Sequence, residues 1–326
     1  MRRRKIVFLG LSIFALAVLP KFLSSAMLMV FFISFLWLIL AANYDMLGGL
    51  LGYIHLAQGA FFGIGAYTVT ILLNKSFIQA AGFFSIGLAT LVAVFLSGLF
   101  AALIALLLFR LKGLYFAVTS LVLVFLLNTL VFNLQGLTGG SYGAFVPRQY
   151  CQSTFISYYL ALLFVLISVG MNYYLSRSKM GLAFISIRED EEAAASIGLN
   201  LTRQKNTVYV LASLPSAAAG VLFALNSGFI DPQLALGVER SLLPPIMAML
   251  GGSGHFLGPI IGMIIVRFID VLFFNYLHLP ISSMFFFGMV LMLVALFIPE
   301  GLLSSPRIKR LGTFLAGKYG MKRGQA

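Results

Sequence analysis

The chain is a succession of long apolar runs, several of them long enough to cross a lipid bilayer as a helix of about 20 residues. Hydrophobic residues make up 61% of the sequence and charged residues only 10%, which is too little polar surface for a soluble fold of this size. The pattern therefore predicts an all-α, polytopic membrane protein with about ten transmembrane or half-membrane helices. These are expected at residues 6–19, 22–42, 56–74, 84–109, 114–133, 155–175, 206–226, 242–252, 257–277 and 281–297.

Two of these runs are short. The first, 6–19, follows the basic sequence MRRRK and also has the form of a signal peptide, with Ser24-Ser25-Ala26 as a possible cleavage site. Because further spans follow at once, we expect it to be retained as a first, short span. The eighth run, 242–252, is short enough to enter the bilayer without crossing it.

Basic residues predict the orientation. If the N-terminus is cytoplasmic and the chain crosses ten times, most of the 22 Lys and Arg residues fall on the cytoplasmic side. They lie in the basic N-terminus (1–5), at Arg110 and Lys112, in the loop 176–205 and in the basic tail (298–326). The sequence thus predicts a single N-in/C-in transmembrane domain, 1–326. The net charge of +13 is explained in this way without nucleic acid.

The sequence REDEEAAASIG at 188–198 holds four of the nine acidic residues of the chain, side by side. Ser186, three residues before the first of them, predicts a capping box, and the carboxylates would face the positive end of the helix dipole. Three alanines and Gly198, a candidate left-handed cap, complete a predicted helix of about eleven residues inside the cytoplasmic loop 176–205. An acidic, alanine-faced helix favours docking of a soluble partner over lying on an anionic membrane.

The order Glu192-Ala193-Ala194, then three residues, then Gly198 resembles the EAA loop of the permease subunits of ABC importers. The proline of that family's fuller pattern is displaced here to Pro215. Further segments resemble, in the same order, landmarks of the branched-chain amino acid permeases of the LivM type (the LivH/LivM family), from about Leu40 to Leu302. They are GLLGYIHLAQGAFFGIGAYTVTILL, GLYFAVTSLVLV, LTGGSYG, SKMGLAFISIREDEEAAASIGLNLTRQK, GFIDPQ, MLGGSGHFLGPIIG and FIPEGLL.

Two substitutions depart from that family. The sequence His55-Leu-Ala-Gln58 stands where the family usually has Ser-Leu-Gly-His, and Tyr142 stands where it often has aspartate. The substrate therefore stays open between branched-chain amino acids, urea and short amides.

The resemblance implies a transport subunit without enzyme activity, working by alternating access when a partner ATPase docks on the acidic helix. It implies two ATP-binding subunits, which would carry ATP and magnesium, a second homologous permease, an extracytoplasmic substrate-binding protein and contact with membrane lipid. The expected ATPase-coupling residues are Glu189, Asp190, Glu191, Glu192, Ala193, Ala194 and Gly198.

No cofactor or metal is expected in the chain itself. The segment Gly312 to Lys318 satisfies the phosphate-loop pattern G-x4-G-K, but Tyr319 replaces the magnesium-binding Ser or Thr and no strand precedes it. The three histidines and one cysteine lack metal-site spacing.

Polar groups within spans face a protein interior or a water-filled path. Arg267 and Asp270, three residues apart, predict a structural pair, with direct contact to a zwitterionic substrate as the alternative. The translocation-path candidates are Asp45, His55, Gln58, Tyr67, Asn128, Arg267 and Asp270. Glycines one turn apart predict close helix packing, with interrupted helices along a substrate path as the alternative: Gly48, Gly52, Gly59, Gly63, Gly258 and Gly262.

Two other functional classes compete with an ABC permease. An ion-coupled secondary transporter of small polar solutes would use Asp45, His55 and Asp270 as relay groups, yet the acids here are massed in a loop rather than within spans. A membrane-embedded enzyme would need catalytic clusters on its loops. For such a cluster the predicted outer loops offer only Asp231, Glu239 and Arg240.

Overall fold

The computed structural model describes residues 14–75, 84–272, 288–289, 292 and 301–303. The helices in this part are α1 (Ser25–Gly48), α2 (Gln58–Leu73), α3 (Ser85–Leu108), α4 (Gly113–Asn133), α5 (Gln135–Thr138), α6 (Thr154–Leu175), α7 (Lys179–Glu189), α8 (Glu191–Ser196), α9 (Leu201–Ser227), α10 (Pro232–Leu236), α11 (Glu239–Gly251) and α12 (Gly258–Asp270). Two short strands, β1 (Ala144–Phe145) and β2 (Phe229–Ile230), pair antiparallel between the loops that follow α5 and α9.

Six helical stretches in the described part are long and apolar enough to cross a membrane: α1, α3, α4, α6, α9 and the α10–α11 stretch Pro232–Gly251. Helix α2 is apolar but has only 16 residues. The protein is therefore a polytopic, all-α membrane protein, as the apolar runs predict. The runs 281–297 and most of 6–19 lie outside the described residues, so the total of ten and the N-in/C-in orientation stay predictions.

The bounds of three helices, α1, α9 and α11, differ from those of the predicted spans. Helix α1 extends six residues beyond the predicted 22–42, to Gly48, because Asn43 to Leu47 are buried and need not face lipid. The predicted short run 242–252 is part of α11, which begins at Glu239 and is preceded by α10. Helix α9 begins five residues before the predicted 206–226, at Leu201, where the side chain of Asn200 accepts a hydrogen bond from the Arg203 N–H.

Helix α9 lies at the centre of the bundle and packs against α1, α2, α3 and α6. Its small residues allow the backbone of α2 to approach closely. A methyl group added at Gly65 of α2 would overlap the carbonyl of Ala217, and one added at Gly220 of α9 would overlap the carbonyl of Phe62. Contacts of this kind are typical of helix pairs in membranes.

The predicted glycine contacts are confirmed at two pairs. Methyl groups at Gly258 and Gly262 of α12 would overlap backbone carbonyls at the end of α11, and those at Gly59 and Gly63 of α2 would press on the side chains of α10 and α11. The prediction for Gly48 and Gly52 is wrong. They do not share a helix face, because α1 ends between them.

Gly52 has a φ of +81° and packs against the side chain of Arg188, while Gly48 faces the ring of Tyr44. Gly52 therefore serves a change of chain direction, for which glycine is the residue with least strain.

Helix α2 begins beside the break in the α10–α11 stretch. After α1, residues 49–57 form an irregular segment before α2 begins at Gln58, and Gly237 and Val238 separate α10 from α11. The backbone N–H of Gly59 donates a hydrogen bond to the Ser241 hydroxyl at 3.2 Å, which joins the first turns of α2 and α11. Interrupted helices of this kind line substrate sites in many transporters.

Candidate functional site

The acidic run 189–192 is divided between two helices. Helix α7 starts at the Ser178 cap, whose hydroxyl accepts a hydrogen bond from the Gly181 N–H at 3.1 Å, and ends at Glu189. Asp190 is extended, and its carboxylate accepts hydrogen bonds from the N–H groups of Glu192 at 2.9 Å and Ala193 at 3.0 Å. It therefore caps α8.

The predicted capping box at Ser186 and the single helix of about eleven residues are wrong. Helix α7 begins upstream, so Ser186 lies inside it and donates to the carbonyl of Leu182 at 2.9 Å. The two N–H groups at the start of α8 are satisfied by Asp190 instead. Gly198 has a φ of +87° and follows the last turn of α8, which confirms the predicted left-handed residue.

Glu191 turns away from solvent and holds α8 against the bundle. Its Oε1 accepts hydrogen bonds from the Lys205 ammonium at 2.7 Å and from the Tyr53 hydroxyl. Its Oε2 lies 3.5 Å from Nζ of Lys112. Lys205 belongs to α9, Tyr53 to the irregular segment before α2, and Lys112 precedes α4. One carboxylate thus joins α8 to three parts of the membrane domain, and we call this group the Glu191 cluster.

Within the Glu191 cluster, the pair of Glu191 and Lys205 is sheltered from water, whereas the Lys112 side chain is 69% exposed. The Lys205 side chain is 5% exposed and that of Glu191 is 19% exposed. The ammonium also lies 4.8 Å from the centre of the Tyr53 ring and 5.8 Å from that of Phe109. Charge-assisted hydrogen bonds in such a setting are stronger than those between neutral groups.

Electrostatics fix the protonation of the cluster. Burial raises the pKa of Glu191, but the hydrogen bonds from Lys205 and Tyr53 and the charges of Lys205 and Lys112 outweigh it, so the pKa is lowered overall. Burial, with the hydrogen bond and negative charge of Glu191, raises the pKa of the Tyr53 phenol. At neutral pH, Glu191 is therefore a carboxylate and Tyr53 keeps its proton.

A second contact lies at the end of α7. Nη1 of Arg188 donates to the carbonyl of Gly49 at 2.8 Å, directly after α1. One turn earlier, the fully buried Asp45 accepts hydrogen bonds from the Gly254 N–H at 2.7 Å and from Nδ2 of Asn172 at 3.1 Å. Helix α7 therefore rests where α1, α6 and the loop between α11 and α12 are joined.

The opposite face of α7 and α8 is exposed. Glu189, Asp190, Glu192, Ala193 and Gly198 of the predicted coupling residues lie on this face, whereas Ala194 is buried and Glu191 is half-buried. Ile197 is 75% exposed beside the carboxylates. Exposed apolar area ringed by charge is typical of a docking surface. We call Glu189, Glu192, Ala193 and Ile197 the outer face. Beside it, an open cleft of about 440 Å³ runs between Tyr53, Lys112 and the end of α7.

The translocation-path candidates do not form one cluster. Gln58 is fully buried, and its Oε1 accepts a hydrogen bond from the Ser216 hydroxyl at 2.6 Å. Nδ2 of Asn43 donates to the same Ser216 oxygen at 2.9 Å. His55 is also buried, with its ring centre 5.3 Å from that of Tyr209. Asp45 is engaged separately at the end of α1.

The remaining candidates lie elsewhere. Asn128 donates to the carbonyl of Pro232 at 3.2 Å and so ties α4 to α10, while the buried Tyr67 hydroxyl has no hydrogen-bond partner in the described part. The predicted pair of Arg267 and Asp270 is confirmed as an ion pair, and Nε of Arg267 also donates to the Ser34 hydroxyl at 3.3 Å.

Sequence reasoning missed the inward partners of the acidic run, Lys205 and Tyr53. In a sequence, a lysine at the edge of an apolar run indicates an ordinary basic residue at the membrane–water interface. Its burial against Glu191 depends on the fold. The hydrogen-bonded pair Asn43 and Ser216 was missed for the same reason.

Comparison with known proteins agrees with this architecture. The sequence model of the family described as branched-chain amino acid transport system, permease component, matches residues 26–295. The high-affinity branched-chain amino acid transport system permease protein LivM of Salmonella typhimurium (strain LT2) is 28% identical, over 94% of this chain and 76% of its own length.

The LivM protein of Escherichia coli (strain K12) is 27% identical with the same coverage. The LivH protein of that strain is 23% identical over 84% of this chain and 92% of its own length. No solved structure shows significant similarity to the chain.

Proposed function

The chain belongs to the family of permease components of branched-chain amino acid transport systems, and we propose on this premise that it is a membrane subunit of an ATP-driven ABC importer. Its cargo would be a branched-chain or related amino acid, moved inward across the bacterial inner membrane. In this proposal the N- and C-termini and the loop 176–205 are cytoplasmic, so that α7 and α8 face the ATPase.

The observation that carries the proposal is the two-sided arrangement of α8. Its outer face presents Glu192, Ala193 and Ile197, while its inner face is fastened by the Glu191 cluster. A helix of six residues has no stability of its own, so α8 moves with whatever it is fastened to. An ATPase bound to the outer face would therefore pull directly on the membrane helices.

The route from α8 into the membrane follows from its contacts. Lys205 lies in the first turns of α9, the central helix, and Tyr53 lies in the segment that leads to α2. Displacing α8 would displace the start of α9 together with this segment. The segment leads to the first turn of α2, which is hydrogen-bonded to the first turn of α11. Alternating access would result from rearrangement of these interrupted helices.

The proposed assembly contains two ATP-binding subunits, which would hold ATP and magnesium, a second homologous permease and an extracytoplasmic substrate-binding protein. The carboxylates of the outer face would meet basic residues on the ATPase, since complementary charge directs and orients association. Exposed apolar side chains on α3, α4 and α6 offer surface for lipid and for the second permease.

An ion-coupled transporter is less well supported by the contacts of the acidic groups. Asp45 already accepts two hydrogen bonds, and Asp270 is paired with Arg267. A proton or sodium relay would need carboxylates that are free to exchange their partners.

The test is charge reversal on the outer face. In proteoliposomes containing the assembled transporter, Glu192→Lys should abolish ATP-dependent leucine uptake, because it places a cation opposite the basic partner surface. The matched control is Lys179→Glu, which reverses an exposed charge at the other end of α7 and should leave uptake unchanged. Normal uptake by Glu192→Lys would refute the docking role. Uptake by the permease alone, driven by an ion gradient, would favour the secondary transporter.

A further inference from the structure

Arg240 lies inside the bundle, although the sequence predicts an outer loop. It is the second residue of α11, and its guanidinium carbon is 4.8 Å from the ring centre of Trp37, 4.7 Å from that of Phe62 and 4.8 Å from that of Phe223. Trp37 is the midpoint of α1, about 18 Å from either end of that helix at 1.5 Å per residue. The guanidinium is therefore at the middle depth of the membrane domain.

This cation has no ion-pair partner among the described residues, although the charge of the adjacent Glu239 carboxylate acts on it. Arg240 forms no ion pair with a carboxylate in that part of the chain, and its Nη1 is buried without a hydrogen-bond acceptor there. The neighbouring Glu239 is exposed. Arg267, the other cation at this depth, is neutralised by Asp270. Intramembrane cations are costly, usually paired and commonly functional.

The aromatic cage stabilises the guanidinium without using its hydrogen-bond donors. Trp37, Phe62 and Phe223 offer only ring surface to the cation, an arrangement that lowers the cost of burying the charge. The N–H groups of a guanidinium lie in its plane and form a fork that matches the two oxygens of a carboxylate. Arg240 is thus held against three rings, and its Nη1 is left without a hydrogen-bond acceptor among the described residues.

Two helix N-termini add positive potential beside Arg240. Helices α2 and α11 both begin here without a side-chain cap, although the Gly59 N–H donates to the Ser241 hydroxyl and the Ser241 N–H to the Val238 carbonyl. Gly59 permits the close approach: a methyl group there would lie 2.7 Å from the Ser241 hydroxyl and 3.2 Å from Cβ of Arg240. Helix N-termini attract anions, and in transporters the ends of interrupted helices point at anionic substrate groups.

We propose that Arg240, together with the first turns of α2 and α11, forms a subsite that binds the carboxylate of the transported amino acid in the middle of the membrane. The inference rests on the proposed transport of amino acids and adds which group of the substrate is recognised and where.

The test is binding of radiolabelled leucine to the purified, assembled transporter in nanodiscs, without the substrate-binding protein. Wild type should bind leucine and should not bind leucinamide, which lacks the carboxylate. Arg240→Met should weaken leucine binding at least tenfold, and Arg240→Lys should retain part of it, since the charge remains but the fork is lost. Arg203→Met, which removes an exposed arginine, should leave binding unchanged.

The cage supplies a second readout, because Trp37 is the only tryptophan of the chain. Subtracting the fluorescence emission of an assembly with Trp37→Phe from that of wild type gives the emission of this one side chain. Adding leucine should change this difference spectrum, and adding leucinamide should not. Size-exclusion profiles and ATP hydrolysis of the Arg240 variants establish that they assemble.

Equal leucine binding by wild type and assembled Arg240→Met would overturn the inference and leave a structural cage. Equal binding of leucine and leucinamide, or no binding to wild type, would also overturn it. These outcomes are separate from the proposed function, which ATP-dependent leucine uptake by wild type with its binding protein tests independently.

Discussion

Replacing Glu191 with Gln is expected to loosen α8 from the membrane domain without altering the outer face. The substitution keeps the size of the side chain and one acceptor, but it removes the negative charge between Lys205 and Lys112. Lys205, only 5% exposed, would then be a buried cation without a counter-ion. We expect transport to lose coupling to ATP hydrolysis, while the ATPase still binds.

The size of the expected effect on the local opening of α8 follows from the burial of the ion pair between Glu191 and Lys205. Breaking a fully buried ion pair costs about 3–5 kcal/mol, and a hydrogen bond to a charged group contributes about 1.5–3 kcal/mol. Glu191 is 19% exposed, so water screens part of the interaction. We therefore expect the free energy of local opening of α8 to fall by about 2 kcal/mol, which corresponds to roughly 30-fold faster hydrogen exchange.

The assay is hydrogen–deuterium exchange of the peptide covering 190–200 in the purified permease, followed by measurement of ATP hydrolysed per leucine transported. Glu192→Gln is the matched control, because it makes the same chemical change on the exposed side of α8 and should leave exchange unaltered. Adding Lys205→Met to Glu191→Gln should restore part of the protection, since the unpaired cation is then removed.

The pH dependence has a defined sign. The pKa of Glu191 is lowered from its ordinary value of 4.5, so its contribution is complete above that pH and is lost as pH falls through the lowered pKa. After correction for intrinsic exchange rates, this contribution to the protection of α8 should be constant from neutral pH down to about 4.5 and disappear only below it. Equal exchange in wild type and Glu191→Gln at neutral pH would refute the reasoning.

Two further predictions concern the packing and charges of the bundle. Gly65→Ala should lower the melting temperature of the purified permease, because the methyl group would overlap a carbonyl of α9, whereas Gly87→Ala, which meets no neighbouring atom, should not lower it. Exchanging the charges as Arg267→Asp with Asp270→Arg should preserve expression and uptake if the pair is structural, while Asp270→Asn alone should reduce both, since it leaves a partly buried cation. A loss of uptake by a stably expressed double variant would assign the pair to the substrate path.

The spans could be predicted because length and apolar composition are local properties. The helices at 85–108, 113–133 and 154–175 differ from the predicted runs by one residue at most ends, since lipid imposes one requirement along their whole length. The α10–α11 stretch was recognised only in part. Its break at Gly237 and Val238 interrupts the apolar pattern, and the fold buries residues before 242 that the sequence pattern assigns to an outer loop.

The site was predicted less completely, because its contacts join residues that are far apart in sequence. The acidic run correctly indicates a helix start, but whether Ser186 or Asp190 caps it depends on where α7 begins. The inward turn of Glu191 requires Tyr53, which is 138 residues away. Likewise, no sequence pattern places Arg240 among aromatic rings contributed by three other helices.

Cysteine crosslinking in the assembled transporter tests the central claim most directly. In a background in which the only native cysteine, Cys151, is replaced by serine, Ala195→Cys places an exposed thiol on α8, and Tyr142→Cys places one in the loop before β1. With a short bifunctional reagent, Ala195→Cys should crosslink to an ATP-binding subunit and Tyr142→Cys should not. A transporter that takes up leucine with ATP but gives no crosslink from Ala195→Cys to that subunit would contradict the account.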